Sequence, residues 1–274
     1  KNNLSVQALL NFISKIIFLG FIVFFIVDSN DTYKVNFVLG FSLIVPYLFF
    51  WIRIYIKNKI KFVLLNLEKL IFRLKENFQF FFSSIAGHLS IHSSLIILKL
   101  FVHDSELGKF ALANRIALIL RMIPVFIFQS VLQNATILNK KNQQSLNDYL
   151  NYYFFIGLIG TFIIGLFFLI FSKWIIIFFA GEEVSYSSDI LSVLAFIPFC
   201  AMFNFKNILI ILVNEKKEIL NKSTWLSSIF MIFITVMLCY FYTGFGLAFG
   251  LLISEILSFL IHTYFLNKSY EKQS

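Results

Sequence analysis

Two arginines, Arg115 and Arg121, interrupt an apolar run at residues 113–126, ANRIALILRMIPVF. An arginine at the centre of a hydrocarbon layer costs about 2.5–3.5 kcal/mol on insertion scales. Two such residues need employment: they can hold an anion, or they can neutralise a buried carboxylate. Both chemistries are available. Taking about 100° per residue, Asn114, Arg115, Arg121, Gln129, Gln133 and Thr136 share an arc of roughly 120° on one helix. Glu255 is a nearly central carboxylate in another apolar run, with Ser258 and His262 on its own face. His88 and His92 stand at i, i+4 on a face shared with Ser84 and Lys99.

Each residue has a plainer reading. Arg115, near the end of its segment, can snorkel to the headgroups, whereas Arg121 lies turns deeper and is expected to face a cavity. Glu255 is either the structural partner of an arginine or a protonatable coupling group, with His262 beside it, and the residues leave both open. His88 and His92 have the spacing of a metal pair, but no third ligand joins them, so interhelical hydrogen bonding is expected and no metal or cofactor. Lys15 and Lys206 are expected to snorkel. Arg115, Arg121, His88, His92 and Gln129 then form a cationic lining suited to an anion.

The elements that must position these groups follow from composition. Of 274 residues 59% are hydrophobic and 14% charged, with 38 Phe and a mean hydropathy of +0.85. A soluble domain carries about 25% charged residues. The chain is therefore expected to be an all-α integral membrane protein. Eight stretches are long enough to span: residues 8–27, 35–56, 78–102, 110–138, 149–171, 190–213, 224–241 and 246–266. None alternates as a barrel strand would. Pro124 is expected to kink the fourth.

Fifteen of the 23 Lys and Arg residues fall in the loops after spans two, four and six or at the two termini. By the positive-inside rule that face is cytoplasmic, together with both termini. The net charge of +9 is thus topological, and nucleic-acid binding drops out. Cys200 and Cys239 lie in apolar stretches and are expected to be buried thiols. The stretch 60–77 is too charged to span but apolar on one helical face, as a surface-lying amphipathic helix would be. Three parts are expected: residues 1–57 as the last two helices of one bundle, 58–77 as the linker helix, and 78–274 as a six-helix bundle. The start at Lys1 reads as a truncation of a parent with two six-span halves.

The run LGKFALANRIALILRMIPVFIFQSVLQNA resembles the helix after the mid-chain linker in bacterial oligosaccharide flippases. These are the Wzx-type, polysaccharide-transport branch of the superfamily that includes the multidrug (MATE) exporters. FAGEEVSYSSDILSVLAFIPF is similar to their outer-loop and tenth-helix segment, and SKIIFLGFIVFFIVDSND to their fifth helix. The resemblance implies helices five to twelve of twelve, with one to four missing. It implies a cytoplasmic-membrane protein that moves a polyprenyl-pyrophosphate-linked sugar repeat unit for O-antigen or capsule synthesis, its headgroup in a cationic cavity. The implied partners are the lipid-linked oligosaccharide, membrane lipids, and a polysaccharide polymerase with its chain-length regulator. A cation-exporting MATE protein would favour carboxylates over arginines in its cavity. A membrane polymerase or glycosyltransferase would need a long extramembrane loop or a carboxylate cluster, and a scaffold would not need a buried charged stripe.

Overall fold

The computed structural model describes residues 3–25, 32–58 and 66–271. Every described element is a helix: α1 (Asn3–Phe25), α2 (Thr32–Asn58), α3 (Leu67–Lys99), α4 (Asp104–Asn139), α5 (Gln143–Ala180), α6 (Ser185–Leu194), α7 (Ile197–Phe203), α8 (Phe205–Val213) and α9 (Lys217–Glu271). Of these, α2, α4, α5 and α9 are long and apolar enough to cross a membrane, as are α6 and α7 taken together as Ser185–Phe203. Asn77–Ser90 and His92–Lys99, which meet at a 47° bend, pass the same test only as a pair. The chain is an all-α, multi-span membrane protein. Residues 26–27 of the first expected span and 60–65 of the amphipathic stretch lie outside the described residues.

The chain divides into two units, Lys1–Lys69 and Leu70–Ser274. In the first, α1 and α2 pack as a hairpin, with Phe21 edge-on to Phe41 at 5.7 Å. Leu10, Ser14, Val38 and Ser42 are buried, while Phe24, Phe37, Phe49 and Ile56 are exposed, as a lipid-facing surface requires.

The second unit packs around two apolar clusters. One gathers Phe110, Ala113, Ile190, Leu194, Cys239 and Leu247. The other gathers Val131, Leu146, Leu150, Met202 and Leu209. On α4 they occupy the stretches before and after Arg121, so the arginine sits between two apolar layers.

Two local features shape what lies between them. The expected span at 190–213 is three short helices, broken at Ala195–Phe196 and at Asn204. Pro198 stands in the first turn of α7, where its missing N–H is no loss. The α9 element is two legs that reverse at Thr243, whose φ of 48° and ψ of −127° no helix contains. Gly246 lies so close to the Leu238 carbonyl that a Cβ there would collide with it, and a Cβ at Gly250 would stand 3.1 Å from the Thr235 Cα. The glycines let the two legs of an antiparallel hairpin touch backbone to backbone.

At the other end of this hairpin Lys216 donates to Ser269 Oγ at 2.9 Å and lies 4.2 Å from the Tyr270 ring centre. Burial there pushes its ammonium pKa down. Residues 67–77, expected to belong to a separate surface helix, form the first turns of α3. No proline or glycine at 75–79 stops the helix before it becomes apolar, and Asn77, a residue that can cap a helix end, lies inside it.

Candidate functional site

The sequence stripe on α4 resolves into two inward residues, Asn114 and Arg121, and four exposed ones, Arg115, Gln129, Gln133 and Thr136. Arg121 Nη2 donates to Glu255 Oε1, joining α4 to the second leg of α9 across 134 residues of sequence. The two side chains are 19% and 13% exposed. Pro124, one turn on, leaves the backbone carbonyl of Leu120 without its helical N–H donor, the kind of defect that belongs on a polar or packed side of a membrane helix. Glu255 is thus paired with an arginine. A pair of this kind is overall neutral, and it is strong because little water competes for it.

Two cavities share this pair as a wall. One, of about 560 Å³, is lined mainly by apolar side chains, among them Leu118, Met122, Val125 and Phe128, with His92 at its edge. The other, of about 210 Å³, is lined by Ser90, Ser227, Ser228, Ser254, Ser258 and His262, among others. Asn204, Ile208, Arg121 and Glu255 border both. The break at Asn204 carries its side chain toward α9, where Nδ2 donates to Ser258 Oγ at 3.2 Å. Three residues on, Asn207 Nδ2 donates to Thr263 Oγ1 at 2.8 Å. On the far wall Ser90 Oγ donates to Ser228 Oγ at 2.8 Å.

The remaining sequence candidates fall in different places. Arg115 and Gln129 are exposed and line neither cavity. His88 is exposed and stacks on His92 with ring centres 6.0 Å apart, and only His92 reaches the larger cavity. His262 is buried in the smaller one, its Nδ1 2.7 Å from the Ser258 carbonyl. Lys206 turns the other way, donating to Asn151 Oδ1 with its ammonium 4.3 Å from the centre of the Phe154 ring. Cys200 and Cys239 are buried free thiols. Among the described residues no three His, Cys, Asp or Glu side chains converge as a metal site would need.

Asn204 and the serines at 90, 227 and 228 were not singled out by periodicity. The one available signal was the Asn204/Asn207 pair inside an apolar run, at the i, i+3 spacing of a shared helical face.

No curated protein and no solved structure matches the chain. A family model described as "Polysaccharide biosynthesis protein" matches residues 1–133, which reach from α1 through Arg115 and Arg121 to the last turns of α4. That match supports a role in polysaccharide synthesis or transport.

Proposed function

We propose that the chain carries a polyprenyl-pyrophosphate-linked oligosaccharide repeat unit across the cytoplasmic membrane by alternating access, as a transporter and not an enzyme. The observation that carries this reading is the Arg121–Glu255 pair, set between two cavities inside a membrane bundle. The match of residues 1–133 to polysaccharide biosynthesis proteins supports the substrate class. The Lys-rich ends, with Lys140, Lys141, Lys216, Lys217 and Lys222, face the cytoplasm in this reading.

The pair gives the cycle a mechanism. A guanidinium bound to a carboxylate is preorganised for another oxyanion of the same fork geometry. The pyrophosphate exchanges for Glu255 on Arg121, and the released carboxylate, now unpaired in a poorly hydrated site, takes up a proton. Release of the substrate reverses both steps. A multidrug exporter of cations would have no use for Arg121 at this position.

Surface glycan in a flippase-deleted host tests the proposal. Arg121→Ala, expressed from the chain's own gene at matched membrane level, is expected to leave lipid-linked repeat units on the cytoplasmic leaflet, and Arg121→Lys to restore part of the glycan. Glu255→Gln is expected to weaken the dependence on an ion gradient. Wild-type glycan from Arg121→Ala removes Arg121 from the substrate path.

A further inference from the structure

We infer that the smaller, hydroxyl-lined cavity is a subsite for a neutral sugar ring, the first sugar of the lipid-linked substrate; this rests on the transport reading above. The cavity is bounded by α3, by Asn204 at the α7–α8 break and by both legs of α9.

Unpaired polar atoms carry the argument. Asn204 is 4% exposed, and its Oδ1 has no hydrogen-bond partner. Its Nδ2 lies 3.3 Å from His262 Nδ1, but that nitrogen stands 2.7 Å from the Ser258 carbonyl and must carry a hydrogen to bond it. The amide therefore pairs through one end only. Turned over, it would accept from Ser258 or His262 and leave its NH2 unpaired instead. Ser227 Oγ, on the same cavity, is buried without any partner. A buried polar group left unpaired is unfavourable, and two around one cavity point to an occupant that pairs them.

The chemistry of that occupant is constrained. A hydroxyl donates and accepts, so it satisfies the Asn204 amide in either orientation and Ser227 as well. A cation would serve only oxygen atoms and would share the cavity with the Arg121 guanidinium, while the one carboxylate present is already bonded to that arginine. A second anion would face Glu255. A polyhydroxylated neutral ring meets none of these objections.

Position agrees with chemistry. Arg121 and Glu255 border both cavities, so the order along the site is apolar walls, then charged pair, then hydroxyls. A lipid-linked sugar has the same order of chemistry: hydrocarbon, diphosphate, sugar.

Methyl glycosides of a hexose and of an N-acetylhexosamine are the probes, read by saturation-transfer NMR against the full chain in nanodiscs. NaCl and inorganic pyrophosphate are separate arms. At least one glycoside is expected to bind saturably without requiring sodium. Ser227→Leu, which fills the cavity, is expected to weaken it by about tenfold or more, and Ser227→Ala, which only removes the hydroxyl, by about threefold to tenfold. The absence of glycoside binding to the wild type, unchanged affinity in Ser227→Leu, or a response to sodium alone overturns the subsite. The two readings fail separately. Normal surface glycan from Ser227→Leu beside lost glycan from Arg121→Ala sinks the subsite and keeps the transporter. Glycoside binding beside normal glycan from Arg121→Ala keeps the subsite and sinks the pyrophosphate role of Arg121.

Discussion

The two sides of the Arg121–Glu255 pair are different solvents. On one side lie Leu118, Met122, Val125 and Phe128, around a space of about 560 Å³. On the other lie serines, Asn204 and His262, around about 210 Å³. An ion pair used only to hold α4 to α9 would be strongest with packed apolar groups on both sides. Replacing such a pair with well-fitted hydrophobic residues is often neutral or stabilising. A pair kept at the border of an apolar and a hydroxylated space is better suited to an amphiphile with a charge at its middle.

The largest effect is expected from breaking the pair on one side only. Arg121→Ala leaves Glu255 buried and uncompensated, a change that costs about 3–5 kcal/mol in buried pairs. Thermal unfolding of the purified variant, followed by helical circular dichroism, is expected to show a clear drop in midpoint. Glu255→Gln, which keeps a hydrogen-bond acceptor for the guanidinium, is expected to cost less.

Next come changes that alter one cavity without touching the pair. Ser227→Leu converts the hydroxylated side toward the apolar one, and surface glycan is expected to fall about tenfold at normal membrane abundance. Leu118→Ser makes the opposite change on the apolar side. It is expected to reduce glycan by a few fold, because a hydrocarbon tail meets a hydroxyl that has lost its water. If both substitutions have equal effects on free-sugar binding, the contrast between the cavities is not a functional one.

The smallest effect is expected from Arg115→Ala. Arg115 is exposed, borders neither cavity and has no ion pair among the described residues. Its removal is expected to change stability by about 0.5 kcal/mol or less, and glycan output hardly at all. A loss as deep as that of Arg121→Ala would mean that the stripe acts as a whole.

Much of this arrangement is legible in the sequence. Within the described residues most of each of the eight apolar stretches falls on helix, but five helices, or six with the bent pair, are long and apolar enough to span. The seventh and eighth stretches share α9, and the described apolar part of the first, Phe12–Phe25, is shorter. The turn between the seventh and eighth stretches falls at Thr243, where the expected segments left a gap at 242–245. Periodicity also put Arg121 and Glu255 on polar faces. It could not join them, since helical phase says which way a residue points and nothing about a partner 134 positions away. It also put Arg115 and Arg121 on one arc, although only Arg121 turns inward. An arc of roughly 120° is wide enough to hold both a cavity-facing and an exposed edge.

Asn204 was hidden for a different reason. The breaks at Ala195–Phe196 and Asn204 reset the helical phase, so a periodic reading of 190–213 as one span cannot relate Asn204 and Asn207 to the residues before them. The expected end of the amphipathic stretch at Asn77 is not an end in the structure: no proline or glycine stands there, and the helix runs on through Asn77.

The central claim is that the Arg121–Glu255 pair exists for its substrate and is not merely a brace. Replacing both members, as Arg121→Met with Glu255→Leu, removes the charges together and leaves no carboxylate stranded. Surface glycan in a flippase-deleted host, compared at matched membrane abundance, then reads function apart from folding. The account expects this double variant to accumulate like the wild type and to export almost no glycan. Wild-type glycan from a normally accumulating double variant would contradict it, and would make the pair a structural tie between α4 and α9.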